Sequence, residues 1–456
     1  MTNSCNSVRR NQLTCAVAMS IGLLVSGCAS LSQPIQTVAS GTQAPAQHMA
    51  WWGDFNDPLL SQLVQQALQA NTSVRSAQAA LQQARALRDV KVANALPGVT
   101  LSGSARRNQT EFAGGSKGFS AGLDASWELD VFGAVRSSVN ASEADTLASQ
   151  ASLRDVQVSI AAEVALAYIQ LRGQQAQLAI ARNSLASQSE TLQLTDWRAQ
   201  AGLVTSLEVE QAKAATAQTS AQIPALTASI AKTRHSLAVL TGQRPLELDL
   251  LLSASQPVPK AANLSTTAIP ADTLRQRADV RAAEHRIQAA LSRVDAADAA
   301  RYPGFNLGGS LSLSALTLAG LSNGATLAGS LLGSLSVPLF DAGAGKSQVL
   351  AQQAALGQAR AAYQNTVLTA LKEVEDALVA FQADRQRLQF LQQAATAADN
   401  AALLAQNRYS SGLIDFQTVL QTQRTLLSAQ DSVAGLQADL SSDHVRLIKA
   451  LGGGWQ

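Results

Sequence analysis

Few side chains in this chain are spaced for chemistry. Gly343-Ala344-Gly345-Lys346-Ser347 carries the Gly-Lys-Ser ending of a phosphate-cradling loop, but Phe340 stands where the motif's first glycine belongs. His48, His235, His285 and His444 are scattered singly, without metal-ligand spacing. Glu373, Glu375 and Asp376 fall on one helical stretch and read as a solvated or tunnel-facing patch. No nucleophile elbow or triad is legible. The three cysteines, Cys5, Cys15 and Cys28, all lie near the start, so the rest of the chain has no disulfide, thiol nucleophile or cysteine metal site. The expectation is a protein that is not an enzyme, with no metal and no cofactor beyond a covalent lipid on Cys28.

Cys28 has a specific context. Arg9 and Arg10 make a positive leader, and an apolar stretch from Leu13 to Val25 follows, too short to read first as a spanning helix. Val25-Ser26-Gly27-Cys28 resembles a lipobox, in which the cysteine is lipidated after cleavage. The alternative is an ordinary secretory cleavage site with an incidental cysteine. The arginine pair alone is weak grounds for twin-arginine export. Residues 1–27 are therefore expected as signal peptide and 28–58 as a lipidated N-terminal segment.

The charged fraction is 14%, well below the usual quarter, and the net charge of +2 offers no basic stripe for nucleic acid. Beyond the leader no stretch reaches the roughly 20 apolar residues of a membrane helix. Any entry of the peptide into a bilayer must then use β-strands.

The mature sequence reads as two similar halves. Leu96-Pro97-Gly98 answers Tyr302-Pro303-Gly304, and Asp130-Val131-Phe132-Gly133 answers Pro338-Leu339-Phe340-Asp341. Ala201-Gly202-Leu203-Val204 answers Ser411-Gly412-Leu413-Ile414, and Leu240-Thr241-Gly242 answers Leu451-Gly452-Gly453. The offset grows slowly along the chain, as a duplication with small insertions would. The first repeat spans 59–243, the second 271–456, and a proline-bearing linker at 244–270 joins them. A helix is expected from Leu59 to Val92, with a counterpart from about Asp272 to Ala300.

Each repeat carries two segments of strict alternation, at about 98–110, 118–131, 303–314 and 325–338. Val99, Leu101, Gly103 and Ala105 share one face of the first, and Thr100, Ser102, Ser104 and Arg106 the other. The polar faces are mostly small Ser and Gly, which suits the wall of a water-filled barrel with lipid outside. Trp127, Phe132, Tyr302 and Phe340 stand at the strand ends that meet the helices, as aromatics at a membrane interface do. Four strands cannot close a barrel, and an open edge cannot sit in lipid. The chain must oligomerise. Two copies would give about eight strands and three about twelve, and a lumen wide enough for cargo favours the larger number.

Helix signals then run from about Ala134 to Ala201 and from Lys346 to Ser410, on the order of 100 Å each at about 1.5 Å per residue. Val164, Leu171, Leu178, Leu185 and Leu192 recur every seven residues, as do Val367, Val374, Phe381 and Leu388, which marks a coiled-coil seam. Gly202 and Gly412 are placed to end these helices at hairpin turns. Thr205 or Ser206, and Asp415, can cap the returning helices, and Pro224 is expected to interrupt the first of them. The fold class is mostly α with a membrane β part.

Together these segments resemble the TolC-type outer-membrane factor family, closest to its lipoprotein branch in tripartite (RND-type) efflux systems. The resemblance rests on Trp51-Trp52-Gly53-Asp54-Phe55, Asp57-Pro58-Leu59, Leu63-Val64, Ala67-Leu68 and Asn71. It rests further on Trp127-Glu128-Leu129-Asp130-Val131-Phe132-Gly133, Pro338-Leu339-Phe340-Asp341, and Arg408-Tyr409 followed by Gly412. Arg277-Ala278-Asp279 departs from the family's Arg-Pro-Asp, with a looser turn as the expected consequence. The resemblance implies a homotrimer sharing one outer-membrane β-barrel and one helical tunnel, with a girdle near the linker. It also implies a periplasmic adaptor and an inner-membrane pump as partners. Gln417 and Gln421 match positions that form constriction rings in the family, where the second is often Asp. With Gln421 there, a charge-selecting ring is not expected. Arg408, Tyr409 and Asp415 are expected as polar links holding the tips together. A type I secretion duct and a non-pore periplasmic coiled-coil lipoprotein are the alternative functions.

Overall fold

The computed structural model describes residues 51–110, 114–261 and 275–453. The signal segment 1–27, Cys28 and the chain to residue 50 lie outside the described residues, as do 262–274 at the end of the linker.

Trp51–Phe55 form a 3₁₀ turn with Trp51, Trp52 and Phe55 buried. Asp57 then caps α1 (Pro58–Ala70) by accepting from the N–H groups of Leu59 and Leu60, and Pro58 opens the helix where its missing N–H would be unpaired anyway. The single helix expected from Leu59 to Val92 is broken at Asn71. Asn71 is extended, and its side-chain oxygen accepts from Ser73 and Val74 N–H to start α2 (Thr72–Ala93). Its amide nitrogen donates to the Leu240 carbonyl at 2.8 Å. A local cap joined to a distant hydrogen bond outweighs the helical pattern.

Strands β1 (Gly98–Thr110), β2 (Gly114–Leu129), β3 (Gly304–Ala315) and β4 (Thr326–Ser336) form one antiparallel sheet in that order. The register pairs like with like. Leu101 faces Leu123, Leu123 faces Leu311, and Phe305 faces Leu335, while Ser104 faces Ser120 and Ser310 faces Ser330. Directly opposed residues share a face, so all four strands present one apolar face and one of small polar residues. Phe132 stacks on Tyr302 at 5.0 Å where the strands meet the helices.

Helices α3 (Ala134–Gln200) and, in the second repeat, Ala344–Ser410 have 67 residues each. The returning helices, α4 (Ser206–Leu240) and its counterpart Phe416–Ala450, have 35 each. Helix α5 (Ala278–Ala299) answers α2, and the second long pair is named α6 (Ala344–Ser410) and α7 (Phe416–Ala450). From the left-handed Gly133 and Gly343 to the helix ends the repeats stay a constant 210 positions apart. Gly133 therefore answers Gly343 rather than Asp341, and Gly242 answers Gly452 rather than Gly453. The extra residues lie in the turn before α6. Pro224 sits inside α4 without ending it.

The main core lies partway down α3. Ile160, Val164, Tyr168, Ile169 and Leu171 pack there against Leu60, Leu63 and Val64 of α1, Leu237 of α4 and Val445 of α7. The linker joins in rather than merely spacing the repeats, since Leu248, Leu252 and Val258 are buried in the same cluster. Tyr168 Oη donates to Asp57 Oδ2 at 2.7 Å and accepts from Arg172 Nη2, whose Nη1 donates to Ala254 O. Burial and the Asp57 contact push the Tyr168 hydroxyl up to about 12. Gly173 lets α7 approach closely, because a Cβ there would stand 2.8 Å from the Ala438 Cβ.

The two repeats are not equally covered. Helix α3 packs on α1, α2, α4, α5 and α7, whereas α6 packs on α5 and α7. Leu368, Val379, Phe390, Leu403 and Leu404 of α6 stay exposed. The sheet has the same asymmetry: β2 of the first repeat pairs with β3 of the second, while the outer edges of β1 and β4 are open.

Candidate functional site at the hairpin tips

Both hairpin turns are Schellman motifs. Gly202 has φ +72 and donates to Ala199 O, and Leu203 N donates to Arg198 O. Gly412 has φ +72 and donates to Tyr409 O, and Leu413 N donates to Arg408 O. Glycine meets the left-handed requirement at Gly202 and Gly412 without a Cβ penalty. Asp415 caps α7 by accepting from Thr418 N–H and Oγ1, and these bonds hold its carboxyl below the usual carboxylate range. Thr205 stands at the matching position of α4 but makes no side-chain cap bond. Asp415 thus serves its own helix rather than a link between tips.

Tyr409 is buried, beside Phe416 at 5.8 Å. A charged link between the two hairpins comes from Arg198, a residue with no distinguishing motif around it in the sequence. Its guanidinium lies 4.5 Å from the Tyr409 ring centroid, and Nη2 donates to Ser410 O at 2.7 Å. Arg408 occupies the matching place in the second repeat, is exposed, and has no side-chain partner among the described residues. Within the protomer it is the counterpart Arg198, not Arg408, that reaches across to the other hairpin. The constant repeat offset is the signal that could have found it.

Gln417 Nε2 donates to Gln211 Oε1 at 2.8 Å, joining α7 to α4. Gln211 is the first-repeat counterpart of Gln421, which lies one turn from Gln417 and is exposed. Deeper in the hairpin, Gln423 Nε2 donates to Thr191 Oγ1 at 2.9 Å and both are buried. The tip is thus lined by amides and tied by one arginine. Among the described residues no group of three or more His, Cys, Asp or Glu is placed to hold a metal.

A mostly helical protomer with two long hairpins and four strands open at both edges is an outer-membrane channel protomer. The outer membrane efflux protein family model matches residues 63–243 and 269–453, and the chain belongs to that family. It is 31% identical to the toluene efflux pump outer membrane protein TtgF of Pseudomonas putida, covering 96% of both chains. The outer-membrane channel OprN is 36% identical with a TM-score of 0.84, covering 89% of this chain and 93% of that one. The outer membrane protein VceC of Vibrio cholerae is 29% identical with a TM-score of 0.82, covering 90% and 99%. The protein is an outer-membrane efflux component, not a spacer without a pore.

Proposed function

We propose that three copies form one passive, non-enzymatic exit duct, anchored by lipid on Cys28 and fed by a periplasmic adaptor and an inner-membrane pump. The observation that supports the trimer is an unfilled join repeated in each layer. Within the protomer, α5 of the second repeat covers α3 of the first, and β3 pairs with β2. The equivalent contacts, α2 on α6 and β1 on β4, are not made among the described residues, and the next copy supplies them. A head-to-tail contact of this kind closes into a ring. Three copies supply about twelve strands, enough for an open lumen, where two would leave room for little more than side chains.

The tip is the gate. Arg198 clamps the join inside each protomer, and Arg408 is positioned to make the matching bond to the next one. Gln417 and Gln421 ring the opening without net charge, so the gate passes cations and anions alike. The toluene-efflux relative makes small apolar organic molecules the proposed cargo. The test is planar-bilayer conductance of the detergent-purified oligomer with its mass determined alongside. Small steps with little cation preference from a trimer are expected. A monomer without conductance would overturn the duct.

A further inference from the structure

The apolar face of the sheet carries no charge from Trp127 to Phe119 on β2 or from Val99 to Ala105 on β1. Two residues further on it ends abruptly. Arg107 and Lys117 stand directly opposite each other in the register, on the face shared by Ala105 and Phe119. Both are exposed, and neither has a partner among the described residues. Like charges facing each other across a strand pair are destabilising, so such a pair calls for an anion. Asp124 and Arg106 belong to the opposite, polar face, as their register partners Thr100 and Gly118 show. Glu111, the one acid between the two cations in sequence, lies outside the described residues.

The position along the strand identifies the anion. Trp127 lies at the helix end of the sheet, and Lys117 is ten residues beyond it toward the far end. At about 3.3 Å per residue and a tilt of about 40°, the pair stands roughly 25 Å above Trp127 along the membrane normal. That is the height of the apolar band of an outer-membrane barrel. The helices extend toward the periplasm, so the pair meets the headgroups of the outer leaflet. Cross-strand neighbours lie about 5 Å apart at Cβ, and two long cationic side chains at that spacing can grip one phosphate together.

We propose that Arg107 and Lys117 form a binding site for a phosphate of the phosphorylated glycolipid in the outer leaflet, one site per protomer. The proposal rests on the barrel reading of the sheet. The test is native mass spectrometry of the detergent-purified oligomer titrated with diphosphoryl lipid A. The wild-type oligomer is expected to retain lipid A, and R107Q/K117Q to bind it about thirtyfold more weakly, roughly fivefold per cation. R107K is expected to keep the affinity, and R106Q, on the lumen face, to leave it at the wild-type level. Retention by the double variant equal to wild type would overturn the site, as would equal binding of dephosphorylated lipid A. Displacement of the lipid by inorganic phosphate would overturn the lipid as the ligand. The oligomer mass in the same spectra tests the barrel separately, since a wild-type monomer fails that reading whatever lipid it carries.

Discussion

The two repeats hold the same joint with different chemistry. In the first, the residue before the short helix is Asn71, whose amide donates to Leu240 O at the end of the returning helix. In the second it is Arg277, whose Nη1 donates to Ala450 O at 2.6 Å. Leu240 and Ala450 are counterparts. Asn71 also caps its own helix, while Arg277 cannot accept and instead pairs with Asp279 and with Glu373 of α6. Burial works against both charges of the Arg277–Asp279 pair, yet each group's hydrogen bonds to its partner win, so Arg277 is shifted up and Asp279 down. The arginine moves elsewhere too. Arg234 of α4 donates to Leu252 O, and its counterpart in α7 is the buried His444, lying between Phe55 and Phe381. The duplication kept the mechanical tie and exchanged its chemistry. The first repeat leans on apolar packing around Leu60 and Leu237, and the second on an ion-paired clasp.

That contrast makes Arg277→Ala the most damaging change. It strands the partly buried Asp279 and a buried carbonyl, at a cost of about 3 kcal/mol, read as loss of thermal stability of the oligomer. Asn71→Ala, by loss of a cap and a carbonyl partner, is expected to cost about 2 kcal/mol. Equal losses from the two would break the comparison.

His444 sharpens it through pH. Burial pushes its imidazole down to about 4, below the ordinary value of 6.5. The unfolded chain then binds the proton more tightly, so stability is full above about pH 6.5 and is lost as pH falls toward 4. The loss approaches about 3 kcal/mol, because each tenfold difference in proton affinity between the folded and unfolded chain is worth about 1.4 kcal/mol. His444→Phe should flatten the melting temperature across that window, and an unchanged slope would rule out this histidine as the cause.

At the tips the expected effects are smaller. Arg198→Ala removes a cation–π contact and a charge-assisted bond, together on the order of 1–2 kcal/mol, and should raise single-channel conductance. Arg408→Ala should raise it less, because the residue matching Tyr409 in the first repeat is Ala199. No change in the Arg408 variant would sink its role between protomers. The smallest effect is a gain. Arg277 has φ −56 and ψ 137, a conformation suited to preceding proline, and Ala278 opens α5. Ala278→Pro should stabilise by about 0.5 kcal/mol, which a small rise in melting temperature would register. Arg277 ties this turn to Asp279 and to the Ala450 carbonyl without the proline.

The elements were legible in the sequence because their signals are local. Alternation along β1 to β4, the heptad steps of α3 and α6, and the left-handed glycines at Gly202 and Gly412 each depend on near neighbours, and their bounds fell within a few residues. Tertiary structure decided what depends on distance. Asn71 breaks a helical pattern because Leu240, 169 residues away, offers it a carbonyl. Arg198 holds Ser410 across 212 residues while the equally plausible Arg408 has no side-chain partner among the described residues. Composition and period say which face a side chain takes. Which of two matching arginines finds a partner is settled only when the second repeat folds against the first, because a hydrogen bond needs its acceptor within about 3 Å.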